Sequence, residues 1–178
     1  VTETERLTLA AALESRSGHP LARGVLAYAE EKQLELPSVT DFTALPGNGL
    51  TAKLEGKEIF GGNAAFIGTK VALPAALQTQ AAALAAQGKT PLFFGGAHRL
   101  LGVIAVADTI KEDSPQAIRE LRNMGIRVVM LTGDNQRTAE AIGQQAGVDE
   151  VIAGVLPEGK EAVIRQLQKY GKVAMVGD

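Results

Sequence analysis

Three polar clusters stand where apolar runs stop. The run 127–131 ends in Thr132-Gly133-Asp134-Asn135, the run 172–176 ends in Gly177-Asp178, and Lys160 follows Leu156-Pro157-Glu158-Gly159. In open α/β sheets, ligands sit beyond the carboxyl ends of the strands. A hydroxyl, a lysine and a carboxylate would therefore gather at one sheet edge. Phosphoryl transfer needs these parts: a donor and a cation for the phosphoryl oxygens, and an acid to hold Mg²⁺. Taken singly, each has a plainer reading. Thr-Gly-Asp-Asn makes a good turn and helix cap, Lys160 a solvated surface residue, and Asp178 a terminal turn. Their order and joint placement favour the chemical reading.

The elements that must position these residues come in two styles. Leu9, Ala12 and Leu13 share a helical face, and Leu21, Val25 and Tyr28 share the next. Pro20 fits the first turn of that second helix. Residues 39–67 hold short alternating runs broken by glycine, with a hairpin turn near Gly56, and predict an antiparallel meander. An alanine-rich helix follows over 73–87, with Leu77, Ala81 and Leu84 in register and Gly88 closing it. Two strands, 91–94 and 100–107, are expected around a turn at Gly95-Gly96. From Asp108 the rhythm becomes β-α-β-α-β. Ser114-Pro115 starts a helix with Ile118, Leu121 and Met124 on one face; 127–131 is a strand; 135–146 is a helix; 151–153 is a strand. A helix over 157–170 turns Val163, Leu167 and Tyr170 inward, and 172–176 is a last strand. Near-continuous apolar strands alternating with helices imply a parallel sheet covered by helices. The expected fold class is α/β (α+β): a domain over 1–101 with an antiparallel sheet flanked by helices, then a partial doubly wound parallel domain over 102–178.

Composition sets the bounds. With 178 residues the chain is long enough for one large domain or two small ones. The net charge of −2 gives no reason to expect nucleic acid or an anionic membrane surface as partner. No cysteine is present, which excludes a disulfide framework, a thiolate metal site and a cysteine nucleophile. No apolar run approaches the roughly 20 residues of a membrane span. There is no Walker A motif, so any ATP site must be of another kind.

The runs Asp108-Thr109-Ile110-Lys111, Thr132-Gly133-Asp134-Asn135, Leu156-Pro157-Glu158-Gly159-Lys160 and Met175-Val176-Gly177-Asp178 together resemble the phosphorylation domain of P-type ATPases, which belong to the haloacid-dehalogenase-like phosphotransferases. The resemblance implies that Thr132 contacts a phosphoryl group, that Lys160 neutralises its charge, that Asp134 belongs to the same phosphate site, and that Asp178 holds Mg²⁺. Glu14 with His19-Pro20, Gly47-Asn48-Gly49 and Gly62-Asn63 resemble the nucleotide domain of the heavy-metal (P1B-type) subgroup. There the resemblance puts Glu14 and His19 near the adenine, and Gly47, Gly49, Gly62 and Asn63 where backbone approaches the nucleotide. The chemistry is compatible. An imidazole can stack on or bond a purine, and a carboxylate can accept from an exocyclic amine.

The resemblance covers nearly the whole chain. It departs where the family's DKTGT motif, which carries the phosphorylated aspartate, is missing, and where the GDGxND motif stops at Asp178. The implied identity is the ATP-binding cytosolic portion of a metal-exporting P-type ATPase, an integral membrane protein. Its partners would be ATP or ADP and the transmembrane, actuator and DKTGT segments of the same pump, and the piece alone is expected to be monomeric and to bind nucleotide without turnover. Residues 88–94, 102–108 and 155–157 look more like copper pumps than zinc, cadmium or lead pumps. Two other classes stay open: a stand-alone dehalogenase-like phosphatase, for which residues 1–20 lack the needed aspartate, and a non-catalytic scaffold. The missing DKTGT strand would leave the second domain with an unpaired edge, so a well-formed first domain and a weakened second one are expected.

Overall fold

The computed structural model describes residues 2–107 and 109–177. Five antiparallel strands form the first sheet in simple sequential order: β1 (Thr40–Leu45), β2 (Gly49–Leu54), β3 (Lys57–Gly62), β4 (Lys89–Gly96) and β5 (Arg99–Ala107). Helices cover both faces. On one face lie α1 (Glu3–Glu14) and α2 (Ala22–Glu31), whose Leu7, Leu13, Val25 and Ala29 pack on Ala52, Ile59 and Phe94. On the other lie α3 (Ala64–Gly68) and α4 (Ala75–Ala86), whose Phe66, Ile67 and Ala81 pack on Phe60 and Phe93. The adjacent pair Phe93-Phe94 thus feeds both cores, as side chains alternate across a strand.

Local chemistry accounts for the boundaries. Thr2 and Glu5 form a reciprocal capping box at the start of α1. The β2–β3 hairpin turns on Glu55-Gly56, both at positive φ, with Leu54 paired to Lys57 as a two-residue primed turn requires. Gly88, at φ 78°, follows the end of α4. Pro20 lies in the turn ahead of α2 instead of inside its first turn; the amide of Ala22 bonds to the carbonyl of His19 at 3.0 Å. The short helix α3, which the meander reading passed over, exists because Asn63 caps it, accepting from the amide of Phe66 at 2.8 Å.

The β4–β5 turn falls at Ala97-His98, not at Gly95-Gly96. Both turn residues adopt positive φ. The glycines remain inside β4 because a β-carbon on Gly95 would collide with the ring of Phe60. They mark a close approach, the other common meaning of glycine in a strand. β5 also runs past the expected boundary at 101/102 and stays paired with β4 as far as Ala107.

The second region holds α5 (Ser114–Asn123), β6 (Val129–Leu131), α6 (Gln136–Ala146), β7 (Glu150–Ile152) and α7 (Lys160–Leu167), with a 3₁₀ turn on each side of α7, at Pro157–Gly159 and Gln168–Tyr170. β6 and β7 pair in parallel, and each has only the other as partner among the described residues. Asp149 ties this unit together, accepting from the amide of Val128 at 2.8 Å and pairing with Arg122 of α5 at 2.8 Å. Two expectations fail here. Residues 172–176 form no strand, since an extended segment becomes one only when a neighbour completes its ladder. Tyr170 points outward, 82% exposed, and Val176 is 95% exposed. Both apolar core clusters sit on the first sheet. No helix among the described residues is long and apolar enough to cross a membrane.

Candidate functional site

The carboxyl ends of β6 and β7 lie side by side because the two strands are parallel. Directly after them, residues 153–155 are strapped to residues 132–134. The amide of Thr132 bonds to the carbonyl of Ile152 at 3.0 Å, that of Val155 to Thr132 at 3.1 Å, and that of Gly154 to Asp134 at 2.8 Å. The Thr132 hydroxyl accepts from the amide of Asp134 at 3.1 Å and donates to its carboxylate at 3.2 Å. Asn135 caps α6 by accepting from the amide of Thr138 at 3.0 Å. Val155 then links this turn to the next motif. Its carbonyl lies against Gly133 and its side chain against Gly159. Lys160, the first residue of α7, follows Gly159 directly and is half-buried, without an ion pair among the described residues. Asp178 and Asp108 lie outside the described residues.

Glu14 is the last residue of α1, and Ser17 and His19 lie in the connection to α2. The Glu14 side chain is 6% exposed, and its Oε2 has no hydrogen-bond partner. Burial pushes its carboxyl above the ordinary value of 4.5, and the nearby Ser17 hydroxyl acts in the opposite direction. His19 is exposed. Its Nδ1 accepts from the amide of Leu21 at 3.2 Å, which in the neutral ring leaves the proton on Nε2, facing outward for a ligand.

The glycines and Asn63 form a third group. Leu45-Pro46-Gly47-Asn48 is a turn closed by the amide of Asn48 on the carbonyl of Leu45 at 2.9 Å, with Gly47 at φ 73° in the position that demands it. The side chain of Asn63 donates to the carbonyl of Gly47 at 2.9 Å. Gly49 pairs with Gly62 across β2 and β3. A β-carbon on Gly49 would strike Phe66 and the carbonyl of Gly61, and one on Gly62 would strike the carbonyl of Asn48. The protein itself fills the space these glycines leave, so their first effect is on packing. Gly61 extends it: a β-carbon there would strike the ring of Phe94 and crowd Leu13 of α1. Gly61 therefore lets the C-terminal end of α1 pack close against β3.

The two regions meet at this point. A β-carbon on Gly47 would collide with Leu156, which opens the turn before Lys160. Thr138 is fully buried and donates to the carbonyl of Lys89 at 2.7 Å, and Thr90 donates to Asp134 at 3.5 Å. Thr90, Thr138 and Leu156 escaped sequence reasoning, because nothing local marks a contact across so many residues.

A family model described as haloacid dehalogenase-like hydrolase matches residues 1–178. The chain belongs to that family. Among curated relatives, the copper-exporting P-type ATPase of Staphylococcus aureus (strain JH9) is 44% identical over 178 residues, which are 99% of this chain and 22% of the relative. The chain thus spans about a fifth of that protein, and other segments complete it. Among solved structures, a zinc-transporting PIB-type ATPase in an E2.Pi state matches with a TM-score of 0.59 and 36% identity, over 100% of this chain and 28% of that one. The catalytic domain of the CPx-ATPase CopB-B matches with a TM-score of 0.71 over 100% of this chain and 62% of that one; at 22% identity it supports the fold alone.

P-type ATPases, among the relatives, use ATP and Mg²⁺, so the residues present can be compared with the needs of both. For a purine, the exposed ring of His19 fits, whereas the Glu14 Oε2 is closed off from solvent. For Mg²⁺, the described residues alone do not: they contain no cluster of three potential ligands, and the Asp134 carboxylate is engaged by two hydroxyls.

Proposed function

We propose that this chain is the ATP-binding cytosolic portion of a copper-exporting P-type ATPase. In this reading the adenine lies at Glu14 and His19, beside the turn made by Gly47, Gly49, Gly62 and Asn63. The phosphates run toward Thr132, Asp134 and Lys160. The observation that supports the reading is the contact of Gly47 with Leu156, by which the turn before β2 meets the turn that precedes Lys160. The 44% identity to a copper-exporting relative favours copper over zinc as the cargo of the whole pump.

Each residue has a physical task. His19 offers a flat ring and one N–H; Glu14 offers a carboxyl in a dry setting. Thr132 supplies a hydroxyl donor, and Lys160 a cation that pairs with no carboxylate among the described residues. The phosphoryl acceptor would be an aspartate supplied by another segment of the pump, with formation and hydrolysis of the aspartyl phosphate driving export. Mg²⁺ would be held with the help of Asp178. The division into a nucleotide domain over 1–101 and a partial phosphorylation domain over 102–178 is part of the proposal, with the first sheet extended to the end of β5.

Mapping by NMR tests it. Titration with a non-hydrolysable ATP analogue should shift amides of residues 14–21, 47–49, 62–63 and 132–134 together, in one saturable step. A folded chain whose amides do not respond would contradict the proposal and favour the scaffold reading.

A further inference from the structure

The hydroxyl of Thr138 bonds in an unexpected direction. It lies in the first turn of α6, where a threonine ordinarily bonds a backbone group of its own neighbourhood. Here the side chain is fully buried and donates to the carbonyl of Lys89, 49 positions away, at 2.7 Å. The same oxygen accepts from the side-chain amide of Asn135 at 2.8 Å, while the Asn135 carbonyl oxygen accepts from the amide of Thr138 at 3.0 Å. A relay results, from the Asn135 amide through the Thr138 hydroxyl to the Lys89 carbonyl. Both of its ends carry meaning. Asn135 follows Asp134 in the turn that holds Thr132, and Lys89 opens β4 of the first sheet. The neighbours of Lys89 lie at the same junction: Thr90 donates to the Asp134 carboxylate at 3.5 Å, and a β-carbon on Gly88 would touch Ile142 of α6. Apolar contacts already join the two regions, between α4 and α6 and between Gly47 and Leu156. What the relay adds is direction, since hydrogen bonds weaken steeply off their preferred angles whereas apolar packing is non-directional. A ligand that reaches from the first sheet to the 132–135 turn gains most from its far end when that turn already stands in place.

Resting on the nucleotide reading above, we propose that Thr138 is a positioning residue for the phosphate end of the nucleotide. Being fully buried, it meets no ligand itself. It holds the Asn135 side chain to the Lys89 carbonyl and so keeps the 132–135 turn in fixed register with the first sheet. Thr132 then meets the terminal phosphates of a nucleotide whose purine lies on the first region.

The test is calorimetric titration with a non-hydrolysable ATP analogue and with AMP, on the native chain, Thr138→Val, Thr138→Ser and Asn135→Ser. Valine keeps the shape of threonine and removes the relay; serine at 138 keeps the hydroxyl. Asn135→Ser retains a good helix cap, adds no charge and removes the amide donor. It breaks the relay from its other end, and decides the matter should Thr138→Val not fold. The proposal expects Thr138→Val and Asn135→Ser to bind AMP as the native chain does and the triphosphate about tenfold more weakly. Thr138→Ser should bind both ligands like the native chain. Equal losses for the two ligands, an unchanged triphosphate affinity, or a Thr138→Ser variant as weak as Thr138→Val would overturn it while leaving the nucleotide reading intact. A folded native chain that binds neither ligand, or the triphosphate no more tightly than AMP, would remove both.

Discussion

At the scale of single residues, Glu14 ties stability to pH in a direction opposite to that of a paired carboxylate. Burial raises its folded-state pKa above the ordinary 4.5, so between these two values the folded chain holds more protons than the unfolded one. Stability is therefore greatest below about pH 4.5 as far as this group is concerned. It is lost as pH rises through the window up to the raised value. Chemical denaturation at neutral pH should find Glu14→Gln at least as stable as the native chain, with a smaller loss of stability between acidic and neutral pH. Gly47→Ala should act through backbone and packing together. The left-handed φ costs about 1–2 kcal/mol for a residue with a β-carbon, and the new methyl would displace Leu156. Its melting temperature should drop, with altered amide shifts at residues 156–160.

At the scale of elements, Gly95→Ala would drive a methyl into the Phe60 ring and should cost about 1–3 kcal/mol in urea denaturation. Gly56→Ala, with no atom near its absent β-carbon, should cost only its turn strain. The contrast separates what was legible in the sequence from what was not. The hairpin at Gly56 could be read because loop length and turn chemistry agree over a few residues. The β4–β5 turn could not, since Gly95-Gly96 are glycines for the sake of a ring contributed by β3, and the true turn uses Ala97-His98 at strained φ. Helices with a clear apolar face and glycine closure were legible for the same local reason. Residues 172–176 have the composition of a strand, but pairing is a property of two segments. In the site, the Thr132 turn and the Lys160 turn were legible as motifs; the Val155 bridge that joins them and the Thr90 and Thr138 contacts were not.

At the scale of the whole molecule, the apolar cores cover the first sheet, while β6 and β7 form a ladder of two short strands. Two-stranded units are marginal in isolation. Hydrogen exchange should protect β2, β3 and β4 far better than β6. The second region's tie to the first runs through Thr138, whose hydroxyl meets the carbonyl of Lys89 with no solvent access. Thr138→Val strands that carbonyl and should cost about 1–3 kcal/mol, with exchange rising at residues 129–138 before it rises in β3.

The central claim is that one nucleotide spans both regions, its purine at Glu14 and His19 and its terminal phosphates at Thr132 and Lys160. The direct measurement compares the affinities of a non-hydrolysable ATP analogue and of AMP for the native chain, His19→Ala and Lys160→Ala. The account predicts that His19→Ala weakens both ligands by a similar factor, about tenfold or 1.4 kcal/mol, whereas Lys160→Ala weakens the triphosphate alone. Equal losses for both ligands in Lys160→Ala, or unchanged triphosphate affinity in either variant, would contradict it.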